Sequence, residues 1–153
     1  MSFFTKPRLI CVLLLAGIGV VLLVSYMINS KTERVRLYFV RSDGTTGTEE
    51  RYMPRVPGKE FAVSLTEELL LGPFDRSFLR FCDSNLRPNR CFVRGDALYL
   101  DVPAQILTPQ VKTPDIHTVY LLLQKNIFKN CRNIRSVHLY IDGVPAYQTA
   151  APA

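Results

Sequence analysis

The sequence predicts an α+β domain preceded by one N-terminal transmembrane helix, with the domain's elements in the order β-β-α-β-β-α-β and two helices on one face of a mixed sheet. Three observations carry this prediction. An uncharged apolar run fills residues 9–28. Two later stretches repeat apolar residues at helical spacing. About five short runs of β-branched and aromatic residues are bounded by Gly, Pro and Asp turn signals. The chain has 153 residues, 48% of them hydrophobic and 21% charged, with a formal net charge of +6. That balance excludes a disordered chain, and 8 Gly with 10 Pro exclude a collagen-like one.

Residues 1–8 form a short tail carrying Lys6 and Arg8, and residues 9–28 form the span. Of those 20 residues, 13 are Leu, Ile or Val. As a helix the run reaches about 30 Å, the thickness of a bilayer's hydrocarbon core. Its aliphatic residues favour insertion by about 4–8 kcal/mol. No polar face can be drawn on it, as a core helix would require. A cleaved signal peptide has an apolar region of about 7–15 residues, shorter than this one, and Ile28-Asn29-Ser30 is a poor cleavage site. Cys11 lies too early in the run for lipoprotein processing. The reading is therefore an uncleaved single-span anchor in a cell membrane. A short tail ahead of a long domain is the arrangement of a signal anchor, which places the C-terminal domain on the extracytoplasmic side.

The remaining chain, from Lys31 on, has 17 Lys/Arg against 13 Asp/Glu, a net +4. Val35–Val40 alternates strong strand formers and is the first strand. Asp43-Gly44 is a turn, and Glu50–Val56 a weaker second strand ended by Pro57-Gly58. A helix follows from near Lys59, with Phe61, Leu65 and Leu69 on one stripe and Gly72-Pro73 as its stop. Ser64 and Glu67 offer a rival start as a capping box. Phe74–Asn89 has no period and reads as a connection. Arg90–Val93 and Ala97–Val102 flank Gly95-Asp96, which suits a type II′ hairpin. After a Pro-containing loop, Thr113 caps a second helix with Pro114 at its first position and Asp115 complementing the dipole. Ile116, Val119, Tyr120, Leu123 and Ile127 form its apolar stripe. Ile134–Ile141 is the last strand, closed by Asp142-Gly143. Residues 148–153 have nothing to bury and read as a frayed tail.

No catalytic signature stands out: there is no phosphate-cradling glycine loop, nucleophile elbow or metalloprotease helix, so no catalytic, cofactor-binding or metal-binding residue is assigned. His117 and His138 lack ligand-spaced neighbours and read as structural. Arg94-Gly95-Asp96 spells an adhesion tripeptide, but a hairpin turn calls for Gly and Asp there in any case. Among the cysteines, Cys82 and Cys91 have the shortest separation for a disulfide; free or buried thiols are the other reading. Arg76, Arg80, Arg87, Arg90 and Arg94 crowd nineteen residues. They read either as a solvated charged loop or as a basic face for an anionic partner, such as lipid head groups, cell-wall polymer or an acidic protein. Nucleic acid is disfavoured, since the domain carries only +4 and no nucleic-acid module is present.

Several strings together resemble the GerM-type (GerMN) domain of sporulation and spore germination proteins: Val35–Val40 as first strand, Glu67-Glu68-Leu69-Leu70-Leu71-Gly72-Pro73 as helix end, Gly95-Asp96-Ala97-Leu98-Tyr99-Leu100-Asp101 as hairpin, and Ser136–Gly143 as final strand and turn. The resemblance spans residues 34–147. It implies a non-enzymatic, membrane-tethered, exported domain. In spore formers such domains are associated with assembling an envelope-spanning channel, and their fold is similar to ring-building motifs of secretion systems. The expected function is a membrane-anchored assembly module of the cell envelope, acting through other envelope proteins or self-association, without cofactors. The alternative is an envelope ligand binder or an enzyme acting on cell-wall polymer.

Overall fold

The computed structural model describes residues 6–29, 32–83 and 86–150. Residues 1–5 of the expected N-terminal tail and residues 151–153 of the expected C-terminal tail lie outside the described residues. The chain divides into two compact units: Met1–Glu33 with Tyr52–Arg55, and Arg34–Arg51 with Val56–Ala153.

The first unit is dominated by helix α1, Lys6–Asn29. Within it, Ile10–Met27 is long and apolar enough to cross a membrane, and its side chains are exposed throughout. A helix that exposes Leu15 at 69% and Leu22 at 64% gains nothing from folding in water. It gains by entering hydrocarbon, where its backbone polar groups are already paired within the helix.

The second unit is α+β. Strands β1 (Thr32–Val40) and β2 (Thr46–Pro54), most of whose residues belong to this unit, form a two-stranded sheet. Alternation on β1 buries Val35, Leu37 and Phe39 and leaves Arg34 and Arg36 exposed. Strand β2 begins at Thr46, earlier than the expected Glu50. Its start is polar and poorly strand-like, and Gly47 serves to admit a neighbour: a Cβ there would stand 2.5 Å from the Phe78 ring. Phe78 and Phe81 in turn pack on Phe39, with ring centroids 6.1 and 5.3 Å away.

Helix α2, Lys59–Leu71, buries Phe61, Ala62, Leu65 and Leu69 as its spacing predicts, and ends at Gly72 with φ +90°. Ser64 therefore lies inside the helix and caps nothing. Strands β3 (Arg90–Arg94), β4 (Ala97–Val102), β5 (Ser136–Ile141) and β6 (Val144–Ala150) form a four-stranded sheet in that order. The sheet is mixed: β4 and β5 are parallel and the outer pairs antiparallel. Between β3 and β4, Gly95 has φ +66° while Asp96 does not enter the positive region, in keeping with a type II′ turn. A short 3-10 turn, Ala104–Leu107, and helix α3, Ile116–Asn130, connect β4 to β5. Leu98, Leu100, Val102, Val137 and Leu139 from the sheet and Val119, Leu123 and Ile127 from α3 are all buried.

Two expectations are corrected. The cap of α3 is Asp115, not Thr113, and Pro114 precedes the helix. The carboxylate accepts from the Thr118 N–H at 3.0 Å and from the Thr118 hydroxyl at 2.6 Å, a two-point cap that threonine two residues earlier cannot make. The second correction concerns the chain's end. Gln148–Ala150, expected to fray, lie on a sixth strand, and Asp142-Gly143 is a hairpin rather than a terminus. Both turn residues have positive φ, 47° and 78°, the pattern of a type I′ turn. Pro145 is tolerated because β6 is an edge strand and the register shifts between Leu139 and Tyr140.

Candidate functional site

The four-stranded sheet buries one side and leaves the other uncovered. On β3 the alternation places Arg90, Phe92 and Arg94 outward, all exposed, and Cys91 and Val93 inward. The register sets Phe92 beside Tyr99 and Tyr99 beside His138. Their rings stack in sequence, with centroids 5.2 and 4.7 Å apart and interplanar angles of 10° for both pairs. Tyr140 lies 6.4 Å from Tyr99. These separations match the distance between neighbouring strands, so the rings lie side by side in a row across the sheet. Phe92 is exposed, and Tyr99, His138 and Tyr140 are half-buried.

Of the five sequence-predicted arginines, Arg90 and Arg94 are thus brought together, flanking Phe92. Arg87 lines two neighbouring clefts of about 420 and 510 Å³, one with Leu70, Leu71 and Pro88, the other with Asp83 and Gln105. Arg80 lies on the helix side, its Cγ 3.0 Å from where a Cβ on Gly72 would be. Arg76 is exposed in the turn after α2.

Cys82 and Cys91 are free thiols, and the disulfide reading is not met. Each has its own neighbour one turn apart on α2: Cys82 donates to the Leu70 carbonyl at 3.4 Å, and Cys91 is hydrogen-bonded to Thr66. Burial pushes both thiols up to about 11; at Cys82 the adjacent Asp83 charge adds to this, whereas at Cys91 the Thr66 bond opposes it. Such thiols are poor nucleophiles. His138 belongs to the aromatic stack, and exposed His117 has its ring 5.7 Å from that of Tyr147. Among the described residues, no three His, Cys, Asp or Glu side chains group as a metal site.

Sequence reasoning missed two buried polar side chains that hold the scaffold. Arg51 is 4% exposed. Its Nε donates to Glu49 at 2.6 Å, its Nη2 to the Gly72 carbonyl at 2.7 Å, and its Nη1 to Glu68, while its guanidinium lies 3.8 Å from the Phe74 ring centroid. Asn126, fully buried, bonds both backbone groups of Tyr38. A charged residue in a strand and an asparagine within an apolar helical stripe were the available signals, but neither names its distant partner.

No family profile matches the sequence. Over 85 residues it is 35% identical to an uncharacterized lipoprotein of Treponema pallidum (strain Nichols), an alignment covering 56% of this chain and 63% of that protein. The chain therefore spans a little under two thirds of that relative. In fold it is similar to the tandem GerMN domains of the sporulation protein GerM from Bacillus subtilis, with a TM-score of 0.58 and 15% identity over 80% of this chain and 44% of that one. Against the first GerMN domain of the same protein the TM-score is 0.56, with 16% identity over 75% of this chain and 86% of that one. At these identities the likeness is one of fold. The chain has a GerMN-like fold, as the motifs in residues 34–147 led one to expect.

Proposed function

We propose that this GerMN-like domain is a membrane-anchored module of the cell envelope that works by protein–protein contact, with α1 as a single-span anchor and the domain on the extracytoplasmic side. The observation that carries the reading is the uncovered sheet face, where Arg90, Phe92 and Arg94 stand beside Tyr99, His138 and Tyr140. An exposed Phe and two exposed Arg beside half-buried Tyr are residue types enriched at interface cores. An apolar helix too exposed for a water-soluble fold and a lipoprotein relative both support the anchor.

Crosslinking in intact membranes, followed by identification of the bound chains, tests the contact. The reading expects discrete species joining this chain to copies of itself or to other envelope proteins, reduced by Arg90→Glu with Arg94→Glu. Monomer alone, with no co-purifying envelope protein, contradicts it. Protease access to residues after Lys31 in spheroplasts tests the orientation, and full protection would reverse it.

A further inference from the structure

We infer that the start of β1 and the end of α3 form a basic docking surface for the anionic headgroups of the bilayer that α1 enters; this rests on the anchor reading of α1. Arg34 and Arg36 project from the outer face of β1, and Arg34 follows the last residue of α1 by five positions. The side-chain amide of Asn130 donates to the Arg36 carbonyl at 3.0 Å, which brings the C-terminal turn of α3 alongside this end of β1. Lys125 and Lys129 are exposed one turn apart on that helix, and the Lys125 ammonium lies 4.5 Å from the Tyr38 ring centroid. Together with Arg34, Arg36, Glu50 and Asn130, Lys129 lines a cleft of about 460 Å³.

The charge of this region is unbalanced. Arg34 and Arg36 both converge on Glu50, the latter at 3.3 Å, so two guanidiniums share one carboxylate. Adding Lys125 and Lys129 and subtracting the exposed Glu33 still leaves positive charge in excess. Two guanidiniums already meet on one anionic oxygen, each through its Nη2, and charge-assisted bonds of this kind also serve a lipid phosphate. Basic residues beside a membrane-spanning helix are attracted to anionic lipid within a Debye length of the surface. An amphipathic tyrosine such as Tyr38 suits the headgroup level. This surface is separate from the Arg76–Arg94 cluster and is fixed by the contact of α3 with β1.

The test uses the full chain in nanodiscs of phosphatidylcholine, with and without phosphatidylglycerol, each doped with a headgroup-nitroxide lipid. The expected result is several-fold stronger paramagnetic broadening at Lys125–Asn130 and Arg34–Tyr38 when phosphatidylglycerol is present. Arg36→Glu with Lys129→Glu should abolish the difference and the milder Arg36→Gln with Lys129→Gln should halve it, both variants keeping the native methyl spectrum. Equal broadening in the two lipid compositions, with the chain embedded in both, overturns this inference and leaves the anchor reading intact. The same is true if inorganic phosphate added to phosphatidylcholine discs shifts these residues as strongly as the anionic lipid does, since the ligand is then a soluble anion. A chain that never enters the discs overturns both readings.

Discussion

Asn126 closes both backbone hydrogen bonds of Tyr38: its Oδ1 accepts from the Tyr38 N–H at 2.8 Å and its Nδ2 donates to the Tyr38 carbonyl at 2.9 Å. The amide thus takes the place of a neighbouring strand along the edge of β1. Its second N–H goes to the Leu122 carbonyl at 2.8 Å, so the buried group is fully satisfied. Replacing Asn126 with Leu would remove the partner of both Tyr38 backbone groups. The expected cost is about 2–4 kcal/mol, measured by chemical denaturation. Asn126→Asp keeps the acceptor but loses both donors and buries a charge, and should be at least as damaging.

Arg51 fastens a different joint. Its guanidinium ties β2 to the exit of α2 through Glu68 and the Gly72 carbonyl, and Glu49 extends the link by accepting from the Phe74 and Asp75 N–H groups at 3.0 and 3.1 Å. Removing one partner of a buried pair leaves the other uncompensated, so Arg51→Ala should destabilise by about 3–5 kcal/mol. Arg51→Lys keeps the charge but cannot reach three acceptors at once. Its midpoint in urea should fall between those of wild type and the alanine variant.

The cap of α3 makes stability fall in acid. The Thr118 hydroxyl, and then its backbone N–H, hold the Asp115 carboxyl below its ordinary range. A depressed folded-state value contributes stability that is present above the unfolded value, near 3.8, and lost as pH falls through the folded one. Asp115→Asn retains an acceptor without the titration. Thermal melts should therefore show the two proteins converging as pH drops below about 4, with wild type ahead at neutrality.

Buried thiols predict an alkylation pattern. With values near 11, Cys82 and Cys91 remain protonated at pH 8 in the folded chain. Iodoacetamide should label them slowly in native protein and quickly in urea. Rapid native labelling of Cys82 would show that its contact with Leu70 opens.

The fold class was legible because burial writes period into sequence: Phe61, Leu65 and Leu69 on α2, and Val35, Leu37 and Phe39 on β1, are buried as their spacing predicts. The hairpin to β6 was missed although Asp142-Gly143 carries a type I′ signal: in sequence the pair reads only as the close of the last strand. Pro145 on the far side of that turn is accommodated by an edge strand with a register shift. The α3 cap was misplaced because Thr113-Pro114 mimics a helix start, while the Asp115–Thr118 bond is visible only in space. Arg51 and Asn126 were out of reach for a different reason. Asn126 and Tyr38 are 88 positions apart, and no local pattern encodes such a pairing. Within the arginine cluster, crowding in sequence did not determine crowding in space: strand alternation united Arg90 and Arg94 around Phe92 and left Arg80 against Gly72.

Contact through the uncovered sheet face is the central claim, and a photo-crosslinking residue placed at Phe92 in native membranes tests it most directly. The account predicts a discrete crosslinked species containing a protein partner or a second copy, absent when the crosslinker instead replaces Arg132, which is exposed beyond the end of α3. Phe92 crosslinking only to lipid or water, or yielding the same species as Arg132, would contradict it.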